Sequence, residues 1–124
     1  MAKVSVLVDS DIFIDYFNTG RFHSLFDSDR FIVYYSIITK KELLTKLGLR
    51  DAEREAILTE LGKCRLIPLS DAITAQYSDL RRRFPAMAKG DALIAATALI
   101  KQLPLLTRNN RHFRVIPELI LFGA

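Results

Sequence analysis

Residues 4–13 read VSVLVDSDIF, and the break after Val8 decides the fold. Val4 to Val8 is rich in β-branched side chains and stops abruptly at Asp9-Ser10-Asp11, the pattern of a buried strand running into a turn. Asp9 therefore stands at the carboxyl end of a first strand. A short helical stretch, Ile12 to Phe17, stops at Asn18-Thr19-Gly20. Phe22 to Phe26 adds a little more helix, and Phe31 to Tyr35 is again strand-like.

The same alternation continues outward. Ser36 is a cap for a helix from Ile37 to Leu47 with Gly48 as its stop, which sets Glu42 well inside it. Asp51 caps a second helix through Leu61, closed by Gly62, so the two form a helical hairpin. Cys64 to Leu69 reads as a third strand, weakened by Pro68 and so peripheral. Ser70-Asp71 opens a helix whose Ile73, Tyr77, Leu80 and Phe84 share one face, and Pro85 ends it. From Asp91 the run ALIAATALI is apolar on nearly every side, so that helix is expected to be buried in the domain or at a subunit contact. Leu103 to Thr107 is a fourth strand, and a last strand-like segment lies around Leu119 to Phe122.

Apolar strands alternating with helices predict an α/β fold, a three-layer α/β/α domain with a central, mostly parallel sheet of four to five strands. In such sheets ligands bind beyond the carboxyl ends of the strands, where the strand order switches. Asp9 and Thr107 belong there, and Asp91, at the amino end of its helix, can face the same crevice.

A chain of 124 residues suits one domain, and its 4 prolines and 5 glycines are too scattered to mark a linker, so residues 1–124 are expected to fold as a unit. The 18 Lys+Arg against 14 Asp+Glu give +4, which favours a polyanionic partner. Lone Cys64 rules out an internal disulfide and suits a reducing compartment. The apolar run from Val4 to Val8 is too short for a signal peptide or a membrane span. A cytoplasmic protein with no membrane association is expected.

Mg²⁺ keeps several waters and takes a few carboxylate oxygens, so a catalytic site for it needs converging acids. Asp9, Glu42 and Asp91 can converge in this fold. Each also has an ordinary reading: Asp9 and Asp91 as helix caps, Glu42 as the surface partner of Lys46 one helical turn on. The words around them carry more. VLVDSDIFIDYF, SIITKKELLTKLG and KGDALIAATALIKQLPLLTRNNRHF, in that order, resemble the PIN domain, and within it the VapC-type toxin branch, from Val4 to about Phe113.

That resemblance implies a Mg²⁺-dependent endoribonuclease, with Mn²⁺ as a substitute, acting as the toxin of a toxin–antitoxin pair. It implies metal-binding roles for Asp9, Glu42 and Asp91, and a supporting role for Thr107, whose hydroxyl would orient Asp9 or a water. Many members carry a fourth acid near the Thr-Arg-Asn word, whereas Asn109, Asn110 and His112 fill that stretch here. Asn109 offers a neutral carbonyl in its place, so one tightly held metal is expected. Asp11, often Asn in the family, adds a charge beside the cluster.

Three rivals remain at this level. An inactive RNA-binding PIN domain is compatible with the missing acid. A haloacid dehalogenase-like phosphotransfer enzyme shares the Asp9-Ser10-Asp11 word, but its later words fall here in the wrong order. A receiver-like domain needs an acid after the third strand, where Pro68-Leu69-Ser70 stands. Arg81, Arg82, Arg83, Lys89, Arg108 and Arg111 are candidates for the RNA backbone, though any one of them is as well explained as a solvated helix face. The resemblance also suggests a homodimer and a small antitoxin whose C-terminal segment blocks the cleft. Phe22, Leu25, Phe26, Leu43, Leu44 and Leu47, on the short helices, could serve such contacts, and domain packing explains them as readily.

Overall fold

The computed structural model describes residues 2–46 and 48–123. The elements run β1 (Val4–Val8), α1 (Ser10–Thr19), α2 (His23–Asp27), β2 (Phe31–Ser36), α3 (Ile37–Leu44) and α4 (Asp51–Leu61). They continue as β3 (Arg65–Ile67), α5 (Asp71–Arg83), α6 (Lys89–Lys101), β4 (Leu105–Leu106) and α7 (Asn110–Phe113). The sheet order is β3-β2-β1-β4, parallel throughout, with Val6 opposite Val33, Leu7 opposite Leu105 and Tyr35 opposite Leu66. Helices cover both faces, as parallel sheets require.

The period of two along β1 sorts the core. Leu7 points to the layer of α5 and α6, among Ile73, Leu80, Ala92 and Ala95. Val6 and Val8 point to the opposite layer, against Ile12, Phe13, Ile57 and Leu61. Ala92, Ala95 and Ala96 are fully buried, which lets α6 lie tightly in its layer. Ser36 and Ser70 cap α3 and α5, accepting from the amides of Thr39 at 3.3 Å and Ile73 at 3.2 Å. Gly20 ends α1 with φ +75°, a conformation that costs a side-chain-bearing residue far more.

Several boundaries differ from the sequence expectation. The first helix begins at Ser10 rather than Ile12, because Asp9 takes the cap position and its Oδ1 accepts from the Ser10 amide at 2.8 Å. Helix α3 ends at Leu44, where the Thr45 amide and hydroxyl both close on the Lys41 carbonyl; Leu47, its expected end, lies outside the described residues. Asp51 is the first residue of α4, and Arg50 holds the cap position.

Helix α6 starts at Lys89 with Ala88 as its cap, so Asp91 sits inside the first turn and is not a cap. Strand β3 is shorter than Cys64 to Leu69, since the Cys64 amide turns back to the Leu61 carbonyl at 3.0 Å. Strand β4 is reduced to Leu105–Leu106 because the Leu103 amide closes on Ala98. The segment around Leu119 to Phe122 forms only a parallel bridge, Leu105 to Leu121. Leu25 and Leu43 are buried, so of the two readings the sequence left open for them domain packing holds. Among the described residues no helix is long and apolar enough to cross a membrane.

Candidate active site

Three acids approach one another from three elements, near enough that Asp91 acts on the charges of both Asp9 and Glu42. Asp9 leaves the end of β1, Glu42 projects from α3 and Asp91 from the first turn of α6. Gly90 shows how closely the two helices meet there: a Cβ built on it would lie 3.9 Å from Glu42 Oε1.

Asp9 is only 5% exposed and both its oxygens are held. Oδ1 accepts from the Ser10 amide at 2.8 Å, and Oδ2 from Thr107 Oγ1 at 2.8 Å. Thr107 follows β4 directly, so the β1–β4 pairing brings its hydroxyl to Asp9, and that hydroxyl in turn accepts from the Asn109 amide at 3.0 Å. Burial is the main force on Asp9, and the Asp11 charge adds to it; together they lift its carboxyl to about 7 against the pull of the two hydrogen bonds, with Asp91 adding a further push. Glu42 is also raised, by burial first and then by Asp91 and Asp11, while the Ser10 hydrogen bond opposes.

Glu42 belongs to a hydroxyl relay that the sequence reading missed. Ser10 Oγ lies 3.2 Å from Thr39 Oγ1 and 3.3 Å from Glu42 Oε1, and Thr39 Oγ1 lies 3.4 Å from Ser36 Oγ. Thr39 is fully buried; its place three residues before Glu42 on one helix puts the two on the same face, but nothing in the sequence joins either to Ser10. Among the described residues Glu42 makes no ion pair with Lys46.

His112, read from the sequence as a structural or surface histidine rather than a substrate contact, has a partner among the acids. Helix α7 sets its Nδ1 3.4 Å from Asp91 Oδ2. Asp11 accepts from the Arg108 amide at 3.1 Å through Oδ2, while its buried Oδ1 has no partner. Asn109 is exposed and contributes its backbone to Thr107.

The donors are all hard oxygens. Among the described residues no three His, Cys, Asp or Glu side chains stand close enough to ligate one ion directly. Such an arrangement can take a hydrated cation through its waters, in the manner of Mg²⁺, rather than a bare ion in a closed cage. Raised carboxyl pKa values, mutual repulsion and the orphaned Asp11 Oδ1 are what a missing positive charge would relieve.

The basic residues divide. Arg81 donates to the Met87 carbonyl, Arg82 pairs with Asp79, and Arg83 grips Glu118 through two 2.8 Å bonds. Arg108 pairs with Asp15 at 2.9 Å. Arg111 lines a cavity together with Asp91, Lys89 lies two residues before Asp91 on α6, and neither forms such a pair among the described residues.

Comparison with known proteins shows the family. The PIN domain family pattern matches residues 6–119. Ribonuclease VapC1 of Methanocaldococcus jannaschii is 30% identical over 118 residues, 91% of this chain and 82% of that protein. Ribonuclease VapC10 of Mycobacterium tuberculosis is 34% identical over 88 residues, 68% of this chain and 65% of that protein. Among solved structures, VapBC2 from Rickettsia felis bound to a promoter DNA fragment superimposes with a TM-score of 0.81 at 22% identity, covering 95% of this chain and 97% of that one. A toxin–antitoxin complex from Klebsiella pneumoniae gives 0.73 at 26% identity, covering 93% and 95%.

Proposed function

The chain belongs to the PIN domain family, in its VapC-type branch, and from that premise we propose that it is a metal-dependent endoribonuclease and the toxin of an antitoxin-controlled pair. The observation that carries this reading is Asp9: a buried carboxylate clamped on both oxygens, yet raised to about 7 by burial and by the acids facing it. A group fixed so firmly where its charge is disfavoured is suited to a cation. Family membership also sets aside the dehalogenase-type phosphotransfer alternative.

Asp9, Glu42 and Asp91 would hold Mg²⁺, or Mn²⁺ in its place. When bound, the metal supplies a water acidified for attack on phosphorus and offsets charge on the leaving oxygen. The chain's own residues do the positioning. Thr107 fixes the Asp9 carboxylate and Ser10 holds Glu42, contacts of the kind that tune a metal site. Lys89 and Arg111 draw the RNA backbone across Asp91. With Asn109 in place of a fourth acid, one metal is held tightly. The products are a 5′-phosphate and a 3′-hydroxyl.

The antitoxin and a homodimer are part of the same proposal. A groove between α1, α3 and α4, lined by Ile14, Phe17, Leu43, Leu49 and Ile57, also has Glu42 in its wall, so a peptide seated in it would touch one of the acids. The test is cleavage of structured RNA by the purified chain with Mg²⁺ or Mn²⁺, then with EDTA, then by Asp91→Asn. Wild type is expected to cut and the other two to lose on the order of a hundredfold or more of rate, the scale on which electrostatic stabilisers act. Equal cutting by wild type and Asp91→Asn overturns the assignment, and binding without cutting leaves the inactive RNA-binding domain. Light scattering and co-purification with the neighbouring reading frame's product test the two partners.

A further inference from the structure

Asp91 also lines a cavity of about 490 Å³ that Glu42 does not line. Its walls are Phe84, Pro85, Ala86 and Met87, from the turn joining α5 to α6, faced by Val115. Asp91, Arg111 and His112 form its polar rim. We infer that this cavity is a nucleobase subsite, which holds the unpaired base next to the phosphodiester being cut. The inference rests on the ribonuclease reading above and names what that site recognises.

Four observations converge. The cavity falls in the size class of small-molecule sites, which are apolar with a few convergent polar groups. Its aromatic wall is already fixed, because the Arg83 guanidinium lies 5.1 Å from the Phe84 ring and is itself held by Glu118. Met87 is held likewise, its carbonyl accepting from Arg81. Val115 is 52% exposed, an apolar side chain left uncovered at the opening.

Charge selects the occupant. Arg111, on the rim, has no side-chain partner among the described residues, whereas Arg81, Arg82, Arg83 and Arg108 are all engaged. A nucleotide presents this combination, a flat apolar face and an anion one sugar away, and Asp91 ties the slot to the acids that would act on that anion. A base still paired in a helix cannot enter, so cleavage falls on a loop, bulge or single strand.

The test measures binding in EDTA, where no cleavage runs. A fluorescent single-stranded oligoribonucleotide is titrated with the full chain, intact and with one abasic residue walked along it. One position is expected to weaken binding about tenfold, the scale of a single base–aromatic contact. Ala86→Leu, which fills the slot, and Val115→Ser, which makes its wall polar, are expected to bind intact RNA as weakly as the abasic strand and to lose the penalty. Both positions are exposed, so folding should persist and circular dichroism checks it. A flat abasic scan overturns the subsite, as does a penalty unchanged in both variants, or variants that lose a protein partner while binding RNA as before. A chain that shows the penalty yet never cuts RNA with Mg²⁺ keeps the subsite and loses the nuclease.

Discussion

Asp9 is a buried carboxyl whose charged form the fold disfavours. Its carboxyl is lifted from 3.8 to about 7, chiefly by burial. Below the lower value both folded and unfolded chains carry the proton; between the two values only the folded chain keeps it. Above about 7 the folded chain must hold a buried charge. The stability contributed by the protonated form is therefore complete in acid and is lost as pH rises through about 7, a difference of roughly 4 kcal/mol. Asp9→Asn removes that dependence at the cost of one weakened hydrogen bond, about 1 kcal/mol. In EDTA at about pH 8 the variant is expected to melt above wild type by calorimetry, and near pH 5 to lose that advantage. Mn²⁺ should raise the wild-type melting temperature and leave the variant unmoved. A variant that melts lower at both pH values refutes the account. At this scale the sequence singled out the three acids as candidates, because each stands in a recognisable local word, and the structure brings them within reach of one another's charge. Ser10 and Thr39 stayed hidden, since their contact depends on α1 lying across α3, and so did the pairing of His112 with Asp91, twenty-one positions away.

Among the elements, α6 depends most on side-chain size. Ala92, Ala95 and Ala96 have no exposure, so Ala95→Leu forces extra methylenes into a filled layer. The expected cost is about 1–3 kcal/mol, read as a lower midpoint in urea with the slope unchanged. An unaltered midpoint means the layer has room. The all-round apolar character of this helix was plain from the sequence, and so was the existence of every long element. What the sequence misjudged was where short ones stop. Strand β4 ends early because Leu103 is claimed by the turn after α6, and no periodic pattern records that. Helix α7, Asn110–Phe113, is too short to carry a period at all.

For the molecule as a whole, the net +4 is less informative than its distribution. Most of the arginines near the cleft answer to acids of their own chain, which a charge count cannot reveal. RNA affinity should fall with salt, and Lys89→Gln or Arg111→Gln should each reduce the log–log slope by about 0.7, one phosphate contact on a single strand. Arg83→Gln should leave the slope as it is, because that guanidinium already serves Glu118. Equal effects from all three remove the distinction drawn here. The parallel sheet and its layers were legible from strand and helix alternation, since apolar strands of this kind must be covered on both faces. The margins of that sheet were not, and they have a consequence of their own. On one side β3 offers three residues before Pro68; on the other, Phe122 donates to Leu105 and Leu105 to Ile120, filling the row beyond β4. A stranger arriving as an extended peptide meets little free backbone to align with, so fibrillar self-templating lacks a seed.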